Sequence, residues 1–371
     1  MNGNSKMQDR RKWLSMNLSY LPLFATPFSP LGLATVPFSS SIGSAAQPAL
    51  SKDEPPQKLL DARKKGLDWI ATNQSRLGHW SAEGTYYAAM TALAGLALTC
   101  SGSTITQGPY SKNISNATDF LLSKVRTNGL IGDPETDDRY TYGHGFAMLF
   151  LSQVLGEEED QSRRQEIIDS LKSAVKFSVN AQTKAGGWGY VSAKEGSDFD
   201  EGSTTITQVQ GLRGCRNCGI KVPKSCIDRA IQYIYKCKNK DGGISYSSEE
   251  SQKGQSRPAI TAASLASLYN AGEYESEHVP EMWKYCKRNL HSLSDEQGWG
   301  HWHYTYLYYA QVVYRQKKEV WEPFRDRLYK RIIDAQNNDG SWTGEVASAY
   351  VTSCSLIMLQ LDLAYLPIFQ R

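Results

Sequence analysis

Gln182-Thr183-Lys184-Ala185-Gly186-Gly187-Trp188 is written three times in this chain in one frame: Gln, three residues, Gly, one residue, Trp. The other full copies are Gln74-Ser75-Arg76-Leu77-Gly78-His79-Trp80 and Gln336-Asn337-Asn338-Asp339-Gly340-Ser341-Trp342. Reduced copies fall between them: Asn128-Gly129-Leu130-Ile131, Asp241-Gly242-Gly243-Ile244 and Gln297-Gly298-Trp299-Gly300-His301-Trp302. Six turn points recur at intervals of about 40 to 60 residues, the long period of helical repeat arrays.

The segments on either side of each turn differ in character. Before it, apolar residues recur at helical spacing among charged ones, as in Ile167, Ile168, Leu171, Ala174 and Val175, or Ile227, Ala230, Ile231 and Ile234. After it comes a nearly uniform apolar run: Ala88 to Leu98, Phe146 to Leu155, Ile260 to Leu268, Val351 to Leu361. A helix apolar on all sides must be buried on most of them. The pattern therefore predicts an all-α fold, an α/α toroid of six helical hairpins with polar helices outside and apolar helices inside. The turn glycines suit tight connections with positive φ or close backbone approach.

The Gln-x-x-x-Gly-x-Trp element resembles the repeat of squalene/hopene and oxidosqualene cyclases. The Gly-Gly-Trp and Gly-Gly-Ile variants resemble that of protein prenyltransferase β subunits. The resemblance runs from about Leu59 to about Leu361. It implies a terpenoid cyclase-like or prenyltransferase-like ring with an isoprenoid, a hydrophobic small molecule, in a central aromatic-lined cavity. As an enzyme of that kind the chain would be an isomerase using a carboxylic acid. Squalene/hopene cyclases have two helical domains, whereas this chain has repeats for a single toroid.

Bulk composition narrows the alternatives. The chain has 371 residues, 40% hydrophobic and 21% charged, as globular proteins do. No apolar run approaches the roughly 18 to 20 residues needed to span a bilayer. With 41 basic against 38 acidic residues, nucleic acid is not an expected partner. A peripheral contact with a membrane fits an isoprenoid ligand. The 21 Tyr and 9 Trp are residues that fill cores and also line apolar or carbohydrate-binding cavities.

Residues 1–55 read differently from the repeat region, 56–371. Arg10-Arg11-Lys12 precedes a Pro- and Ser-interrupted apolar stretch from Met16 to Phe38, then Ser44-Ala45-Ala46. The order basic, apolar, small is that of an export signal and its linker, so a periplasmic or cell-envelope location is expected. A disordered extension on a cytoplasmic protein is the alternative. Seven Cys leave one unpaired in any intramolecular disulfide scheme. The lone Cys215-Arg216-Asn217-Cys218 has no second pair at zinc spacing. No metal or cofactor is called for.

Chemistry is expected where the inner helices begin, because unpaired N–H groups and positive dipole ends gather there. Asp198-Phe199-Asp200-Glu201 follows Gly186-Gly187-Trp188 and resembles the cyclase acid motif Asp-x-Asp-Asp-Thr. That resemblance implies Asp200 as proton donor, tuned by Asp198 and Glu201, although Glu and Gly202 replace the last two residues. The alternative is a helix N-cap. Tyr86, Asp138, Tyr142, His144, His303 and Tyr304 begin other inner helices and are candidate cavity residues. His303 echoes the prenyltransferase zinc histidine, but the accompanying Asp-x-Cys pair is missing. Each Tyr could equally be packing. A non-catalytic ligand-binding or scaffold toroid, and a carbohydrate-active α/α toroid with paired carboxylates such as Asp138, Asp200 and Glu201, remain open.

Overall fold

Six helices have apolar or small residues at nearly every position, and six others carry a single apolar stripe. A computed structural model describes residues 56–196, 198–294 and 301–370, and among these it contains twelve α-helices. The striped helices are α1 (Gln57–Thr72), α3 (Ser111–Ser123), α5 (Gln161–Ala181), α7 (Lys224–Cys237), α9 (Val279–Leu290) and α11 (Lys318–Asp334). The apolar ones are α2 (Tyr87–Thr99), α4 (Tyr140–Val154), α6 (Gly202–Asn217), α8 (Pro258–Ala271), α10 (Trp302–Tyr314) and α12 (Ser348–Leu359). In α7 the buried face is Cys226, Ala230, Ile231, Tyr233, Ile234 and Cys237, one stripe at helical spacing. In α2 every residue from Ala88 to Thr99 is buried.

The even-numbered helices form the inner ring. Each packs on the next, α2 on α4, α4 on α6, α6 on α8, α8 on α10 and α10 on α12, and α12 returns to α2. The expected α/α toroid of six hairpins is the observed fold. Small residues let neighbours approach: a Cβ on Gly145 of α4 would lie 2.7 Å from the Thr207 backbone of α6. The ring is tied internally as well. Gln210 Nε2 of α6 donates to Gln311 Oε1 of α10 at 2.7 Å, bridging helices two places apart.

The repeated heptapeptide is the joint between hairpins. The Gln side-chain amide donates to its own turn and to the next outer helix. Gln74 reaches Gly78 O and Asn113 O, Gln182 reaches Gly186 O and Cys226 O, and Gln336 reaches Gly340 O and Ala62 O. The last of these closes the circle, because Ala62 lies on α1. Gly340, at φ 93°, presses on the same helix, where an added Cβ would meet Lys65 O at 2.5 Å. Each Trp then pins the turn to its own hairpin. Trp80, Trp188 and Trp342 donate Nε1–H to Ile70, Ser178 and Ile332 carbonyls, and their backbone N–H groups to Thr91, Thr205 and Thr352 hydroxyls.

At the far end, the chain after α12 folds under the ring. Leu366, Ile368 and Phe369 are buried there, and Arg315 Nη2 donates to Ile368 O at 2.8 Å. Residues 1–55, with the expected export segment, and most of the fifth turn (295–300) lie outside the described residues.

Candidate functional site at the mouth of the ring

All six inner helices begin at one end, so six positive helix ends surround the mouth. Their N-cap residues are Tyr86, Arg139, Glu201, Arg257, His301 and Ala347. Glu201 alone caps through its side chain. Its carboxylate accepts Ser203 N–H at 2.8 Å, and also Thr204 N–H and both neighbouring hydroxyls. Glu201 is fully buried, and burial raises its pKa despite these donors.

Tyrosines enclose this helix start. Tyr142 of α4 contacts the Ser203 hydroxyl, and Tyr304 of α10 donates to Ser203 O at 3.4 Å. Tyr304 sits edge-on to Tyr308 at 4.9 Å. Tyr142 stacks on Tyr190 at 5.9 Å, and the Tyr190 and Tyr246 hydroxyls touch. Tyr142, Tyr304 and Tyr350 are each partly exposed. Burial holds their phenols well above the ordinary pKa, so they stay neutral donors. One turn deeper, the wholly buried Tyr308 hydroxyl has no hydrogen-bond partner among the described residues. Two guanidiniums complete the rim. Arg139 lies 4.5 Å over the Tyr190 ring and Arg257 4.5 Å over Tyr246.

The three carboxyls expected to form an acid cluster point three ways. Asp200 is buried and accepts Ser248 N–H at 2.8 Å and Ser248 O–H at 2.7 Å, on the side of Tyr233 in outer helix α7. Asp198 is exposed and accepts Lys184 N–H at 3.0 Å. Glu201 is the cap. The three carboxyls therefore do not gather in one cluster: Asp200 is held by the next loop and Asp198 by the preceding turn.

Two histidine expectations also change. His144 is fully buried and faces outward: Nδ1 accepts Ile131 N–H at 3.0 Å, so Nε2 carries the proton toward Ala174 O and Ser178 Oγ. It fills in the second repeat the place that Thr91, Thr205 and Thr352 fill in others, and it is not a cavity residue. His303 packs edge-on to Trp302 at 4.9 Å and lies against Gly344 of the sixth turn, beside rather than among the tyrosines. Burial depresses its pKa to about 4. Among the described residues no group of three His, Cys, Asp or Glu could hold a metal.

Tyr86 and Asp138 do meet at the rim, where Tyr86 O–H donates to Asp138 Oδ1 at 2.6 Å. Tyr86 holds a left-handed φ of 54°, strain that an aromatic residue rarely bears. Tyr190 and Tyr246 were not expected at the site. Both stand two residues after the turn aromatic or Ile, at Trp188 and Ile244, a repeat position that alignment of the copies exposes.

No family model and no curated protein matches this chain. Solved structures do. The apo type II terpene cyclase MstE from Scytonema is 13% identical, with 84% of this chain and 100% of that chain covered and a TM-score of 0.55. The GH76A α-1,6-mannanase from Salegentibacter sp. HEL1_6 is 7% identical, with 83% and 99% covered and a TM-score of 0.60. A terpene cyclase and a glycan hydrolase thus share this ring, and at such identities the likeness establishes the α/α toroid alone.

Proposed function

We propose that this chain is a ligand-binding toroid whose tyrosine-lined mouth receives an isoprenoid-like hydrocarbon. The observation carrying this reading is the enclosure of the α6 start by Tyr142, Tyr190, Tyr246, Tyr304 and Tyr308, with the Tyr308 hydroxyl unsatisfied. Aromatic faces offer large apolar contact with few rotatable bonds, and buried unsatisfied hydroxyls point to a missing water or ligand. Scytonema MstE has been captured with geranylgeranyl dihydroxybenzoate as substrate and merosterolic acid A as product, which supports an isoprenoid for a ring of this shape. The likeness of the turns to squalene/hopene cyclases supports it too.

Binding without proton-initiated turnover fits the carboxyls best. Protonating an alkene needs a carboxylic acid facing the ligand, and Asp198, Asp200 and Glu201 are each engaged elsewhere. A glycan reading has one specific support, the adjacent Asp137 and Asp138. An inactive variant of the Salegentibacter mannanase changes two adjacent aspartates and holds α-1,6-mannotriose. Here, however, Asp137 is buried beside Gly143, accepts Arg139 N–H at 2.9 Å, and has its pKa raised to about 6 by burial.

The test is calorimetric titration with farnesol, geranylgeraniol and α-1,6-mannotriose, with chromatography of each mixture for products. Farnesol or geranylgeraniol should bind without conversion, lose at least tenfold affinity in Tyr304→Ala and Tyr142→Ala, and be unaffected by Asp200→Asn. Cyclised products, mannotriose binding alone, or no binding at all would overturn the reading.

A further inference from the structure

Tyr306, Tyr308 and Tyr309 of α10 are all wholly buried, and two of the three are satisfied. Tyr306 O–H donates to Leu290 O at 3.1 Å, and the Tyr309 hydroxyl pairs with His291 Nδ1 at 3.1 Å, both at the end of outer helix α9. The Tyr308 hydroxyl has no hydrogen-bond partner among the described residues. Buried tyrosines on outer helices differ from it, since Tyr233 and Tyr329 have Asp200 and Arg63 within side-chain reach. A phenol shut from water and left unpaired is a cost that phenylalanine would avoid. The Tyr308 hydroxyl therefore calls for a partner from outside the chain.

Contacts above and below Tyr308 fix where it stands. Tyr304, Tyr308 and Gln311 are at i, i+4 and i+7 on one face of α10, over about 10 Å of helix. At the mouth Tyr304 reaches Ser203 O of α6 at 3.4 Å, and at the floor Gln311 meets Gln210 of α6 at 2.7 Å. Tyr308 lies between these two contacts, its ring edge-on to Tyr304 at 4.9 Å. Helix α12 repeats the register, with Tyr350 in its first turn and Cys354 one turn below. The Tyr308 hydroxyl is acted on by the Cys354 thiol and by the Glu201 carboxyl that caps α6. Groups from α6 and α12 thus border it, and it faces the ring interior, whereas Tyr306 and Tyr309 face an outer helix.

The same neighbours set the chemistry of the missing partner. Burial keeps the Tyr308 phenol protonated, well above its ordinary pKa, so it has an O–H to donate. Both titratable groups acting on it are acids. An anion placed beside them would lose its water shell and gain no attraction from either. A neutral carbonyl oxygen accepts the hydrogen bond without that cost.

We infer that Tyr308 is a specificity-determining residue, donating a hydrogen bond to a neutral carbonyl oxygen on the end of the isoprenoid that enters the ring first. This inference rests on the proposed mouth site. It adds the ligand class, a carbonyl-bearing neutral isoprenoid, and the orientation, oxygen inward and hydrocarbon against Tyr142 and Tyr304. A site built round a buried donor penalises the analogue that lacks the acceptor, because the donor is then left unpaired.

Methyl farnesoate, farnesoate and β-farnesene share a farnesyl skeleton and present a neutral ester, an anion and no oxygen at one end. Titrated into the full chain at pH 8, methyl farnesoate should bind at least tenfold tighter than either of the others. The infrared stretch of its carbon-13-labelled carbonyl should move to lower frequency on binding. Tyr308→Phe, which keeps the ring and removes only the hydroxyl, should bring ester and hydrocarbon within twofold of each other and reverse the shift, with no loss of β-farnesene affinity. Tyr309→Phe, the same change on the outward side of α10, should keep both the preference and the shift. Equal binding of ester and hydrocarbon, tighter binding of the anion, or a preference that survives Tyr308→Phe overturns this inference and leaves the mouth site standing. Failure of all three probes to bind overturns both.

Discussion

Gln210 and Gln311 join side chains at 2.7 Å across the ring, and both are buried. The contact ties α6 to α10, two helices that are not neighbours in the inner ring. Removing one partner leaves a buried amide group unsatisfied. Gln210→Leu should destabilise by about 1–3 kcal/mol, and Gln210→Leu with Gln311→Leu should recover most of the loss. Urea unfolding of the two single variants and the double variant forms the cycle that checks it.

Ring closure depends on Gly340. An alanine there would combine a left-handed backbone with a Cβ 2.5 Å from Lys65 O, whereas Gly219, at φ 87°, has nothing within 4 Å. Gly219→Ala should cost about 1 kcal/mol from backbone strain alone. Gly340→Ala should cost about 3 kcal/mol or more, because the clash is with backbone. Thermal melts of the pair separate conformational strain from failure of the seam.

His144 makes stability depend on pH. Its folded pKa is lowered by burial to about 4 from an ordinary 6.5. Between those values the unfolded chain binds the proton and the folded one does not. Stability is therefore full above pH 6.5 and falls toward pH 4, by up to about 3 kcal/mol. Asp137 works in the opposite sense: its raised pKa of about 6 stabilises at low pH and that contribution fades as pH rises from 3.8. His144→Thr, which restores the residue type of other repeats, should remove roughly half of the loss between pH 6.5 and 4, because His303, lowered by burial to about 4 as well, contributes in the same window. Denaturant midpoints from pH 4 to 7.5 decide this.

Glu201 and Asp198 are three residues apart in sequence and opposite in consequence. Glu201→Ala strips four donors of their acceptor in a buried place and should cost about 2–4 kcal/mol. Asp198→Ala touches an exposed side chain and should stay within about 0.5 kcal/mol. Equal effects in calorimetric melts would contradict the capping role.

The ring was legible because its causes are local and repeated. Gln, Gly and Trp at fixed spacing each perform one joint task, and an apolar helix must lie inside whatever encloses it. Even closure was implicit, since the last copy at Gln336 carries the same hydrogen-bonding groups as the first. The site was legible only in part. Tyr142, Tyr304, Tyr86 and Asp138 followed from their place at helix starts, but direction did not. Asp200 and Glu201 are adjacent, yet one turns out to Ser248 and the other folds under its own helix. His144, two residues from Tyr142, points to the opposite side of α4. One residue along a helix turns the side chain by about 100°, so the sequence determined which segments meet at the mouth. Only the packing of each inner helix against its neighbours decided which of their side chains face it.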